Sequence, residues 1–126
     1  MNKGYILLMA AILLSSIATS GKPRDIDRTT VSDIDLKRYM GRWFEIARFD
    51  HSFERNLDYC EAFYALENDG TISVTNTGIN SRTEHRKTSY GKAKLGEQPG
   101  QLRVSFFWIF YSGYNILALS QEYEWA

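Results

Sequence analysis

The spacing of its turns is what most constrains this chain. Beyond Gly41, turn chemistry such as "ENDG" and "GEQPG" returns at short, regular intervals. It separates six strand-like runs: "RWFEIARF", "YCEAFYAL", "TISVTNTG", "TSYGKAKL", "QLRVSFF" and "YNILAL". Each is rich in aromatic and β-branched residues and too short for an ordinary helix. Connections this brief can only join antiparallel neighbours. Asp69-Gly70 predicts a two-residue type I′ hairpin, which needs φ > 0 at both positions. The pattern is all-β, a sandwich or an up-and-down barrel. Before it, "VSDIDLKRYM" predicts a short helical turn capped by Ser32 or Asp33, with Ile34, Leu36 and Tyr39 as its apolar side.

With 126 residues, the chain is one domain. Its first residues read as an export leader. Asn2 and Lys3 precede an apolar run from Tyr5 to Leu14, and Ala18 and Ser20 stand at signal-peptidase spacing before Gly21. The run is shorter than the roughly 20 residues a bilayer span needs. Residues 1–20 are therefore expected to be a signal peptide, 21–35 a flexible lead-in, and 36–126 the folded domain. A lipid anchor at the processed N-terminus would need a cysteine there, and the single cysteine is Cys60. Without Lys3 the 15 basic residues become 14, against 15 acidic ones. That balance offers nothing to a polyanion, so nucleic acid is not an expected partner.

Side-chain alternation assigns faces to the strands. One face gathers Trp43, Glu45, Ala47 and Phe49, then Cys60, Ala62, Tyr64 and Leu66. It continues with Ile72, Val74 and Asn76, with Gly91, Ala93 and Leu95, and with Leu102, Val104 and Phe106. Small residues recur on it: Ala47, Cys60, Ala62, Gly91 and Ala93. A solid sandwich core would use larger ones, so this face is expected to border a cavity. Glu45 either faces that cavity or pairs with Arg42 or Arg48.

Catalytic signatures are absent. His51 and His85 have no cysteine pair or H-E-x-x-H spacing around them, and there is no G-x-S-x-G and no phosphate-cradling loop. No metal and no cofactor is expected. "RTEHRK", Arg82 to Lys87, reads as a solvated charge cluster in a connection. Cys60, on an apolar strand face, reads as a small filler rather than a nucleophile.

The segment "GRWFEIARFDHSFERN", Gly41 to Asn56, resembles the first signature of the lipocalins, in particular the bacterial and apolipoprotein D-like members. Gly41 and Trp43 match its G-x-W, and Phe44 to Asn56 its extension. Arg103 to Leu119 is similar to a later family pattern, and "SQEYEWA" resembles the second signature through Tyr123. The likeness covers about residues 36–126. The family pattern continues with further strands, an arginine that packs over the signature tryptophan, and a C-terminal helix. The match is thus expected to hold six to seven of eight barrel strands, a C-terminally truncated form. Its inner face would then lie open, exposing Trp43, Tyr64 and Phe106.

The resemblance implies an antiparallel up-and-down barrel that carries a small hydrophobic molecule, such as a fatty acid or lysophospholipid. The lining candidates are Ala47, Phe49, Cys60, Ala62, Tyr64, Val74, Phe106 and Ile116. In a meander, alternate connections share one end. Phe53 and the run Trp108, Ile109, Phe110 and Tyr111 therefore gather at the open mouth, an apolar rim suited to an acyl chain or a bilayer surface. The implied protein is non-enzymatic and exported: periplasmic, outer-membrane-associated or secreted. Two other readings stand beside it: an interaction protein that pairs, even with itself, through bare barrel edges, and a lipid-modifying enzyme using the Cys60 thiol.

Overall fold

The computed structural model describes residues 3–8, 27–49, 54–107 and 109–126, with backbone alone for the first segment. The elements are β1 (Lys3–Leu8), α1 (Leu36–Tyr39), β2 (Gly41–Arg48), β3 (Leu57–Leu66), β4 (Ile72–Asn80), β5 (Arg86–Leu95), β6 (Gln101–Phe107) and β7 (Phe110–Asn115). They form one seven-stranded sheet in sequence order. β2 to β7 pair antiparallel at each step, which is the expected meander. β1 is the exception. It comes from the segment read as a leader, and it pairs parallel with β2, Lys3 opposite Arg42 and Leu8 opposite Arg48.

The hairpins depart from the expected turn chemistry in one place. β3 and β4 are joined by Glu67 to Thr71, not by two residues. Glu67 N donates to Thr71 O at 2.8 Å and Gly70 N to Glu67 O at 3.0 Å. Gly70 is left-handed at φ 81°, while Asp69 is not. The Asp69 side chain explains the difference, since its Oδ1 accepts from the Thr71 backbone N–H at 2.9 Å and so holds a wider loop. The helical turn also starts later than expected. Its N-cap is Asp35, whose Oδ1 accepts from Lys37 N at 2.9 Å and Arg38 N at 3.3 Å.

Three connections, β2–β3, β4–β5 and β6–β7, lie at one end of the meander. At the other end the sheet is plugged. Tyr39 is fully buried and stacks on Trp43 with ring centroids 4.7 Å apart, and Trp43 Nε1 donates to Tyr39 O at 2.8 Å. The lead-in is tied down there: Val31 N donates to Ile116 O at 3.0 Å, and Asp35 N to the Tyr123 hydroxyl at 2.7 Å. Tyr123 is itself buried, with the Arg38 guanidinium 4.3 Å above its ring. These contacts correct one expectation. Trp43 is 2 % and Tyr64 5 % exposed, so the inner face is closed by α1, Ile116 and Tyr123 rather than laid open. Phe106 packs half-buried against the same core.

Candidate functional site

Two strand irregularities decide which side chains face inward. In β2 the register against β1 slips, Ile6 opposing Glu45 and Leu7 opposing Ala47, so Ile46 is an extra residue. In β3 the register against β4 slips between Asp58 and Glu61, and Tyr59 sits at φ 51°. A bulge reverses the facing of every residue beyond it. Ala47 and Phe49 therefore turn outward, Phe49 to 75 % exposure. Arg48 turns inward in their place.

Arg48 becomes the hub of a polar cluster. Its Nη1 donates to Glu45 Oε2 at 2.5 Å and to Cys60 Sγ at 3.3 Å. Its Nη2 donates to Glu54 O at 3.0 Å and also to Leu57 O. One guanidinium thus ties β2 to the start of β3 and to the connection between them. The planar fork of arginine suits this bridging role better than lysine's point charge. Burial and the neighbouring Glu45 push the Cys60 thiol up to about 11, so it stays protonated at neutral pH. A thiol held that way is a poor nucleophile.

The remaining candidates divide. Ala62, Tyr64, Val74 and Ile116 are buried in the closed-end core. Cys60 and Phe106 are half-buried beside it. Tyr64 and Tyr39 both hydrogen-bond the Tyr114 hydroxyl, the latter at 3.1 Å, and burial raises the pKa of all three. Tyr111 does not line the mouth. Its ring lies on the outer face under Lys94 Nζ at 4.1 Å, because β7 alternates around Tyr114, which opposes the inward Leu102. Ile109, in the β6–β7 connection, is 78 % exposed and Phe110, which opens β7, is 75 % exposed; Leu66 and Leu95 are also exposed. Phe53 and Trp108 lie outside the described residues.

The pairing of Glu45 with Arg48, one of the two arginines the sequence offered, is observed, but sequence reasoning did not reach Arg48 as a hub and missed buried Glu54. The available signal was the Glu45–Arg48 spacing, which alternation places on opposite faces and only a bulge brings together. Arg42, the other partner considered for Glu45, instead approaches Glu61 at 3.9 Å. The charge cluster after Asn80 is exposed, its turn held by Asn80 Oδ1 accepting from Arg82 N and Thr83 N. Among the described residues, no group of three His, Cys, Asp or Glu side chains could hold a metal ion.

Known proteins resemble this chain in sequence and fold. The family model described as Lipocalin-like domain matches residues 34–126. Outer membrane lipoprotein Blc of Citrobacter freundii is 45 % identical over 119 residues, 93 % of this chain and 66 % of that protein. The chain thus spans slightly less than two thirds of that relative's length. Blc of Vibrio cholerae is 39 % identical over 127 residues, 98 % of this chain and 72 % of the relative. Mouse apolipoprotein D is 31 % identical over 96 residues, covering 69 % of this chain and 50 % of its own length. The crystal structure of the cockroach allergen Per a 4 superposes with a TM-score of 0.60 at 21 % identity, over 75 % of this chain and 57 % of that one, a likeness of fold. Trp43 and Tyr123 share the buried core at the plugged end of the antiparallel meander, and by the family match over residues 34–126 and its relatives the chain belongs to the lipocalin family.

Proposed function

We propose that the chain is an exported, non-enzymatic carrier of small hydrophobic molecules, with fatty acids and lysophospholipids as the ligand classes. The observation that carries this reading is the polarity of the two ends. The closed end is plugged by buried aromatics, whereas Phe107, Ile109 and Phe110 stand 63 %, 78 % and 75 % exposed at the opposite end. Tyr59 and Phe49 join them at the β2–β3 connection, 86 % and 75 % exposed. An aromatic rim of this kind suits an acyl chain or the surface of a bilayer. Membership of the lipocalins supports a carrier, and the Blc relatives, named as outer membrane lipoproteins, support placement outside the cytoplasm. The leader-like residues 1–20 agree with export. Burial of an acyl chain would supply roughly 25 cal/mol per Å².

Titration with fatty acids of graded length and with a lysophospholipid, read by tryptophan emission, tests the reading. Saturable binding that weakens in Phe110→Ser and loses most of its emission change in Trp108→Phe is the expected result. Cys60→Ser should bind as the parent does, and the parent itself should release no product from either ligand class. Absence of saturable binding to every ligand would remove the carrier reading.

A second reading has its own observation. Among the described residues no strand pairs with the outer edge of β7. Such an edge can recruit another strand, including that of a second copy.

A further inference from the structure

The last ladder pair between β2 and β3 is Phe44 with Glu61. Beyond it the strands splay, leaving a solvent-open cleft of about 370 Å³ between Glu45–Arg48 and Leu57–Cys60. That volume falls in the range of small-molecule sites, roughly 300–1,000 Å³. At its inner side lies a smaller cavity of about 10 Å³, bordered by Trp43, Glu45, Cys60 and Asn76. Glu45 and Cys60 belong to both.

What faces the inner cavity is an excess of lone pairs. The Glu45 side chain is 8 % exposed. Its Oε2 takes the Arg48 hydrogen bond, but its Oε1 is buried with no hydrogen-bond partner among the described residues. Asn76 Oδ1 is in the same condition. Arg48 donates to Glu45 Oε2, Cys60 Sγ and two carbonyls, which commits its guanidinium elsewhere. A buried acceptor left without a donor is destabilising, and more so when it is charged. Two such atoms on one cavity make it a place for a group rich in hydrogen-bond donors.

We propose that the β2–β3 cleft takes the head of an amphiphile bearing a primary ammonium group, head inward. The N–H donors go to Glu45 Oε1 and Asn76 Oδ1, and the chain lies outward along Ile46 and Tyr59, which are 67 % and 86 % exposed. A carboxylate head brings more lone pairs and is disfavoured at the same spot. A trimethylammonium head has the charge but no N–H. This inference deepens the carrier reading and rests on it.

The test compares dodecylamine, dodecyltrimethylammonium and dodecanoic acid, which share one chain, by calorimetric titration of the full chain. Dodecylamine should bind about tenfold more tightly than either of the others, the scale of one charge-assisted hydrogen bond. Glu45→Gln should reduce the ratio of amine to acid affinity about tenfold. Asn76→Leu, which leaves the Glu45–Arg48 pair in place, should reduce the same ratio severalfold. An ethanolamine-headed lysolipid that outbinds its choline-headed counterpart marks a phospholipid as the source of the head. A preference confined to dodecylamine marks a free amine. Equal affinities for the three dodecyl ligands, or ratios unmoved by both substitutions, overturn the proposal and leave the carrier reading standing. Failure of all three to bind overturns both.

Discussion

Removing the Arg48 guanidinium strands a carboxylate. The Arg48 and Glu45 side chains are 18 % and 8 % exposed and meet at 2.5 Å. Breaking a buried pair from one side leaves an uncompensated charge, so Arg48→Met should lower unfolding free energy by about 3 kcal/mol. The double variant Glu45→Leu/Arg48→Met should recover most of that loss in urea unfolding, since an apolar pair leaves no orphan charge. Failure to recover would assign the loss to the carbonyls of Glu54 and Leu57 that Arg48 also holds. Cys60 gives a prediction in pH. Its folded-state pKa is raised, by burial first and Glu45 second, to about 11. An unfolded thiol titrates near roughly 8.5. Between those values the folded chain holds a proton that the unfolded chain has released, so stability falls as pH rises. The contribution is complete below the lower value and lost above the upper one. Cys60→Ala should flatten that part of the urea-midpoint profile. The raised pKa values of Tyr39, Tyr64 and Tyr114 continue the decline at higher pH, and a profile flat throughout in the parent protein would contradict the buried cluster.

Glycine marks how tightly neighbouring strands approach. A Cβ at Gly91 would stand 2.7 Å from Ser105 O and 2.8 Å from the Phe106 ring. The first is backbone and cannot swing away, so Gly91→Ala should force β5 from β6 and cost about 2 kcal/mol. At Gly113 nothing lies within 4 Å, and Gly113→Ala should be neutral or slightly stabilising. Thermal unfolding of the two variants side by side checks the contrast. The same elements show what a sequence can convey. The antiparallel meander was legible because period-two patterning and turn residues are local properties, and five of the six expected runs match β2 to β6. The sixth, Tyr114 to Leu119, overlaps β7 only at Tyr114 and Asn115, because β7 starts at Phe110 inside the aromatic stretch read as a connection. Facing was legible only as far as the first irregularity. Alternation places Ala62, Tyr64 and Val74 inward, as observed, but it carries Ala47 and Phe49 inward past a bulge that pattern alone does not reveal. The extra residue at Ile46 and the left-handed Tyr59 arise from how β2 and β3 meet their neighbours, which is a tertiary matter. For the same reason the Arg48 hub escaped a reading that took one strand at a time. Tyr111 was placed at the mouth for a different cause: an aromatic run suggests a common destination, yet consecutive strand residues must point to opposite faces.

For the molecule as a whole, the two edges of the sheet are treated differently. β1 covers the edge of β2 while the leader-like residues 1–20 are attached, whereas β7 borders no further strand among the described residues. An uncovered edge presents a row of N–H and C=O groups that another strand can satisfy. Two copies can meet antiparallel along β7, residue by residue, about a twofold axis. β7 runs from Phe110 to Asn115, and a twofold between antiparallel strands sets a residue opposite its own copy, so a symmetric pairing near the middle of β7 can be centred on Gly113. The chain should therefore associate as concentration rises, with a dimer visible by sedimentation velocity. Gly113→Glu separates this edge from other surfaces. The new side chain has open space around it, and its cross-strand neighbour is Arg103, a favourable pairing worth a few tenths of a kcal/mol. Across the dimer axis, however, it would bring two carboxylates together. Gly113→Glu should accordingly melt no lower than the parent and remain monomeric at concentrations where the parent dimerises. A parent protein that stays monomeric, or a Gly113→Glu variant that dimerises equally well, would show that β7 is not the contact.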